Sequence, residues 1–215
     1  MKALLDYIIN KVDTVSFDVF DTLIERDVVK PSDIFKIVAR NVLGDEFTEQ
    51  FYEHRVVAEK HARQNKNLDE VTLNDIYNEL GVIYGNRCSE LMKNEIDTEI
   101  DSCHSKDKYV RLLNEAIENG KKVYLISDMY LSNKTIEAML EKCNISGYDK
   151  LYVSSIYNAN KQSGKLFDIV ISENNIDVRK MVHIGDSFRA DFWGAHKVGI
   201  KSILINRKYR LRRIL

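Results

Sequence analysis

Four clusters of polar residues give this 215-residue chain the means for chemistry on an anion. Asp18, within Ser16-Phe17-Asp18-Val19-Phe20-Asp21-Thr22-Leu23, follows a buried-looking apolar run, where a carboxylate can attack as a nucleophile or hold a metal. A strand-end aspartate that merely caps a turn fits that segment equally well. Val123-Tyr124-Leu125-Ile126-Ser127-Asp128 ends in a hydroxyl and a carboxylate, which also suit turn chemistry. Lys161, in Asn160-Lys161-Gln162-Ser163-Gly164-Lys165-Leu166-Phe167, precedes helix-like sequence, a place where lysines are usually solvated. His183-Ile184-Gly185-Asp186 breaks an apolar run at Gly185 and presents Asp186 and Asp191, five residues apart, a pairing suited to a hard cation such as Mg²⁺.

These residues matter together only if the fold carries them to one place. Runs of β-branched and aromatic residues predict strands at Val12–Val19, Lys122–Ile126, Lys150–Val153, Met181–Ile184 and Ser202–Ile205. Helical spacing marks Tyr109–Glu118, ending at Gly120, and also Ile136–Cys143 and Leu166–Glu173. Such alternation predicts an α/β fold, a Rossmann-like, mostly parallel sheet with helices on both faces, which binds ligands beyond the carboxyl ends of its strands. Residues 30–104 differ, with few strand signals and helical periodicity over Ile34–Val42, Phe47–Ala62, Leu73–Leu80 and Leu91–Ile100. The expected organisation is a discontinuous core, residues 1–29 and 105–215, with 30–104 inserted as a helical cap beside the crevice.

Composition sets the outer bounds. With 44% hydrophobic and 30% charged residues the chain can bury a core, and a net charge of −1 gives no call for nucleic acid. The charge is unevenly placed: residues 27–104 hold 9 basic against 16 acidic groups, while Arg207, Lys208, Arg210, Arg212 and Arg213 crowd the last nine positions. That basic end reads as a solvated segment before it reads as a phosphate- or membrane-contacting one, or as a dock for another subunit. Three widely spaced cysteines, Cys88, Cys103 and Cys143, argue against a disulfide framework and suit a reducing compartment. With no signal peptide or membrane span in Met1–Asp13, the expectation is a cytoplasmic protein.

In chain order, Asp18, Ser127, Lys161 and the run Gly185-Asp186-Ser187-x-x-x-Asp191-x-x-Gly194-Ala195 resemble the four motifs of the haloacid dehalogenase superfamily, over residues ~12–28 and ~106–206. The segments around Asp18 and Ser127-Asp128-Met129-Tyr130-Leu131 look more narrowly similar to members associated with bacterial polysaccharide synthesis, some of them fused to glycosyltransferases. The resemblance implies a nucleophile at Asp18 and a Mg²⁺ held by Asp18, the backbone carbonyl of Phe20, and Asp186. It also implies phosphoryl contacts from Ser127 and Asp128, positive charge from Lys161, and an Asp191 that binds the metal or orients Lys161. Arg26 reads as a hinge salt bridge or a substrate anion contact. Arg55, with Glu59 and Arg63 at i, i+4 and i+8, reads as a surface salt-bridge ladder before a substrate contact.

One position departs from the family pattern. Phosphatases of this family carry a general-acid aspartate two residues after the nucleophile, where this chain has Phe20; acid help of that kind is worth ~10²–10⁴ in rate. Asp21 is next in line, but adjacent residues of an extended segment face opposite ways. The first expectation is a Mg²⁺-dependent phosphatase or phosphoryl-transfer hydrolase acting on a small phosphorylated metabolite such as a sugar phosphate. A dehalogenase-type hydrolase, whose halide leaves without a proton, is the second. The third is a non-catalytic phosphate-binding module docked to a glycosyltransferase. His183 reads as a satisfied core histidine, and Trp193 as packed against the sheet.

Overall fold

The computed structural model describes residues 2–65 and 69–205. The basic end at 207–213 lies outside them. Five parallel strands form the central sheet in the order β5-β4-β1-β6-β7, with β1 at Thr14–Phe17, β4 at Lys122–Ser127, β5 at Lys150–Val153, β6 at Met181–Gly185 and β7 at Lys201–Leu204. A two-stranded antiparallel ribbon, β2 (Ile24–Arg26) against β3 (Cys103–Ser105), stands apart from it. The inner strands carry near-continuous apolar sequence because both of their faces are covered; every residue of β1 and β6 is buried.

The helices are α1 (Lys2–Lys11), α2 (Asp33–Val42), α3 (Thr48–Asn65), α4 (Leu73–Tyr84), α5 (Cys88–Ser102), α6 (Asp107–Glu118), α7 (Asn133–Lys142), α8 (Ser154–Tyr157), α9 (Lys165–Asn174) and α10 (Ala195–Lys197). Helices α2 to α5 lie in the chain between the two ribbon strands and pack on one another. One apolar cluster runs from Val15 and Phe17 in the sheet to Ile34, Phe51, Leu80 and Leu91 in those helices.

Local chemistry fixes the helix ends nearest the crevice. Thr72 and Asp75 form a reciprocal capping box on α4, and Ser132 Oγ accepts from the Thr135 amide at the start of α7. A π-helical turn, Phe188–Gly194, leads into α10. Its Phe188 and Trp193 are half exposed; Phe188 stacks on Phe192, and Trp193 meets Phe192 and His196 edge to face, so Trp193 faces outward instead of packing on the sheet. The three cysteines are unbonded, although Cys103 and Cys143 sulfurs approach to 3.7 Å. Among the described residues no helix is long and apolar enough to cross a membrane.

Candidate active site

Register brings the motifs together. Phe17 is level with Leu125 of β4 and Ile184 of β6, so Asp18 leaves the central strand between the ends of its two neighbours, and its amide donates to the Ile184 carbonyl at 2.9 Å. The chain runs outward from β1 through β4 to β5 and then crosses back to β6 and β7, which makes the end of β1 a topological switch point. Ser127 and Asp128 sit at the end of β4, Asp186 follows β6, and Lys161 lies in the loop between α8 and α9.

After Asp18 the backbone closes a tight turn: the Leu23 and Ile24 amides donate to the Val19 carbonyl, and the Asp21 amide donates to the Ile24 carbonyl. Asp21 takes a φ of 58°, a left-handed conformation that aspartate tolerates better than most residues. Two consequences follow. Thr22, which the sequence reading left without a role, is folded back so that its hydroxyl donates to Asp18 Oδ2 at 2.8 Å. The expectation that Phe20 and Asp21 face opposite ways fails, because the turn breaks strand alternation and both line the cleft beside the helical insertion.

Lys161 is the hub. Its ammonium donates to Asp18 Oδ1 at 2.6 Å and to Asp191 Oδ1 at 2.5 Å, and the residue is 2% exposed. Its backbone amide donates to the Asp128 carboxylate at 2.9 and 3.2 Å, so Asp128 anchors the loop that delivers the lysine. Asp191 also accepts from the Ser187 amide at 2.7 Å and contacts His183 Nε2 at 3.1 Å; His183 Nδ1 lies 2.8 Å from Ser16 Oγ. His183 is thus a core residue, as its strand position suggests, and it also touches the site. Because Asp191 can only accept, Nε2 carries the hydrogen and Nδ1 takes the Ser16 proton.

Two glycines are required by close approach. A Cβ on Gly185 would meet Asp191 Cγ at 2.2 Å, and one on Gly194 would meet the Lys161 carbonyl at 2.0 Å. The π-helical turn therefore packs directly onto the lysine loop.

The electrostatics divide the two carboxylates. Burial pushes the Asp18 carboxyl up, Lys161 pulls it down, and the charges of Asp191 and Asp186 raise it again, leaving it at about 8. Burial acts in the same sense on Asp191, but Lys161 and the His183 N–H outweigh it and hold that carboxyl well below the usual range. The asymmetry has a geometric cause, since Asp191 has a histidine and a backbone donor that Asp18 lacks. Burial would lower the Lys161 ammonium, yet Asp18, Asp191 and Asp128 together keep it firmly charged. Burial also lowers His183, which stays neutral.

The donor set suits a hard divalent cation. Oxygen atoms of Asp18, Asp186 and Asp191 all lie within 4.8 Å of one another, and one lysine cannot balance three carboxylates. At the end of the adjoining strand β4, Ser127 Oγ is buried with no hydrogen-bond partner, a polar atom that an anion's oxygen would satisfy.

Of the two expected arginines, Arg55 lies away from the cleft and Arg26 lines it. Arg55 is fully buried, with Nε and one terminal nitrogen on the two oxygens of Glu95 at 2.9 and 2.7 Å, and its plane lies over Phe35 and Tyr130. The ladder to Glu59 and Arg63 exists, but its Arg55 end is interior, so the surface description is corrected. Arg26 pairs with both oxygens of buried Glu99 at 2.6 and 3.2 Å, joining the ribbon to α5, and its guanidinium stands 4.4 Å over the Phe20 ring. The hinge alternative describes this arrangement. The cleft between the helical insertion and the sheet has a volume of about 670 Å³.

A parallel sheet with an inserted helical layer, and an aspartate, serine, lysine and acidic pair gathered at its switch point, define a hydrolase of the haloacid dehalogenase type. The sequence matches the family of haloacid dehalogenase-like hydrolases over residues 37–205, and the chain belongs to that family. The matched span starts after Asp18. The structure resembles the HAD-hydrolase YfnB from Bacillus subtilis bound to magnesium, at 16% identity and a TM-score of 0.66, covering 94% of this chain and 92% of that one. It also resembles the 2-haloacid dehalogenase from Pseudomonas syringae pv. Tomato DC3000, at 14% identity and a TM-score of 0.64, covering 90% and 86%. A third likeness is to the L-2-haloacid dehalogenase from Xanthobacter autotrophicus with chloropropionic acid covalently bound, at 12%, a TM-score of 0.60, and 90% and 77%. No curated protein matches the sequence. At these identities the structures establish the fold alone, and nothing in them supports the narrower association with polysaccharide synthesis.

Proposed function

We propose that the protein is a phosphatase acting on a small phosphorylated molecule through a covalent intermediate on Asp18. The observation that carries this reading is the buried, unpartnered Ser127 hydroxyl at the end of the strand that adjoins β1, which delivers the Asp18 carboxyl and its Lys161 partner. Asp18 Oδ attacks phosphorus, the bond from phosphorus to the leaving oxygen breaks, and that oxygen takes the electron pair. Lys161 balances charge on the phosphoryl oxygens, Ser127 donates to one of them, and Thr22 and Asp191 hold Asp18 and Lys161 in place. Water then attacks phosphorus and frees Asp18. Asp18, Asp186, Asp191 and the Phe20 carbonyl would hold Mg²⁺, whose bound form supplies charge neutralisation that lets one anion approach another.

Phe20 favours a second reading, a dehalogenase-type hydrolase in which Asp18 displaces halide from carbon and no acid is needed. The two separate experimentally. Beryllofluoride with Mg²⁺ mimics a phosphorylated aspartate, and a Mg²⁺-dependent rise in melting temperature that Asp18→Asn abolishes is the result expected of a phosphoryl site. Halide release from a 2-haloacid, with no beryllofluoride response, would move the assignment to the second reading.

A further inference from the structure

The residue standing where the family's phosphatases place an acid is an aromatic ring in a mostly apolar wall. Phe20, Phe35, Val56, Met129 and Tyr130 all line the cleft between the helical insertion and the sheet, with Phe20 on the turn that follows Asp18. The ring of Phe20 is held there, since Arg26 covers one face at 4.4 Å and is itself locked to Glu99. Of the carboxylates that line the cleft, Asp128 takes the Lys161 amide, Glu99 takes Arg26 and Glu59 takes Arg55 and Arg63, while Asp21 is the one a substitution must test. Without a proton from the protein, the leaving oxygen must depart as an anion, and that is fast only when its conjugate acid is strong. A wall of this composition binds a flat apolar group and stacks on it.

Resting on the phosphatase reading, we infer that the leaving group is an aromatic alcohol: the substrate is an aryl phosphate monoester, or a phosphorylated compound whose bridging oxygen sits on an aromatic ring. The phosphorus–oxygen bond breaks as Asp18 bonds to phosphorus. The aryl oxide carries off the electron pair and takes its proton from solvent after leaving. The cleft's volume of about 670 Å³ has room for more than a single ring, and Lys60 lines it and offers positive charge to a substituent.

The test is a series of phenyl phosphates graded in phenol acidity, with acetyl phosphate and a simple alkyl phosphate alongside, each read as kcat/KM with Mg²⁺. The expected result is a steep line, ~10-fold per unit of phenol pKa, on which acetyl phosphate falls below the aryl compounds despite its better leaving group. Phe20→Asp should flatten the line, raising the alkyl phosphate ~10²–10⁴-fold while barely moving the most acidic phenol. Asp21→Asn should leave the slope unchanged. A shallow wild-type line that steepens in Asp21→Asn would make Asp21 the acid and overturn the inference. Acetyl phosphate at or above the aryl line would overturn its aromatic part. A beryllofluoride response with no aryl phosphate turned over would overturn the inference and leave the phosphoryl site standing, whereas no response and no turnover would remove both.

Discussion

At the scale of single residues, the site is a shared-charge problem that Asp18 loses. Its carboxyl sits at about 8 in the metal-free protein because burial and two neighbouring carboxylates outweigh Lys161. A carboxyl whose folded pKa lies above its unfolded value binds its proton more tightly when folded, so the stability it contributes is complete below about pH 4 and drains away as pH rises to about 8. Asp18→Asn removes that drain. In chelator, the variant is expected to gain on the wild type progressively between about pH 4 and pH 8 in urea unfolding, and to lose at least ~10³-fold in turnover with Mg²⁺ present; a stability gap flat with pH would contradict the burial argument. Asp18, Ser127, Asp128 and Asp186 were legible in the sequence because each lies at the end of a strand signal, and Lys161 because it precedes a helix signal. Thr22 and the His183 contact were not, since the first depends on a left-handed turn at Asp21 and the second on which face of β6 meets the π-helical turn.

Among the elements, the helical insertion is organised round ions instead of a purely apolar seam. Arg55 and Glu95 are both fully buried, and Tyr77 donates to Glu95 at 2.8 Å. Removing one partner leaves the other charge unpaired inside the protein, at a cost of about 3–5 kcal/mol. Arg55→Ala is therefore expected to lower stability by that order in chemical denaturation, and the double variant Arg55→Met with Glu95→Leu to recover much of it; equal losses in both would argue against the ion pair as the cause. Strand and helix periodicity located the five sheet strands and the main helices to within a few residues, with Lys150–Val153 found at its observed limits. The β2–β3 ribbon escaped because Ile24-Glu25-Arg26 and Cys103-His104-Ser105 are too short to show alternation, and the pairing joins segments from opposite ends of the insertion. Arg55 was misplaced for a related reason: i, i+4 spacing reports a shared face and says nothing about whether that face is covered.

For the whole molecule, one apolar cluster spans the sheet and the inserted helices, and a second lies against the sheet around Tyr152 and Phe167, so the insertion has no interior apart from the sheet's. Heat is expected to unfold the described body in one transition, with calorimetric and van't Hoff enthalpies in agreement, and two resolved transitions would show the insertion to be an independent unit. The sheet order has a further consequence during synthesis. β1 is the central strand, yet Thr14 pairs with Lys122 on one edge and Met181 on the other. At ~5–20 residues per second, its second partner leaves the ribosome roughly ten to thirty seconds after it does. The most enclosed strand of the finished protein is thus an open, sticky edge for most of its own translation, and the burden of keeping it single falls on whatever meets the nascent chain first.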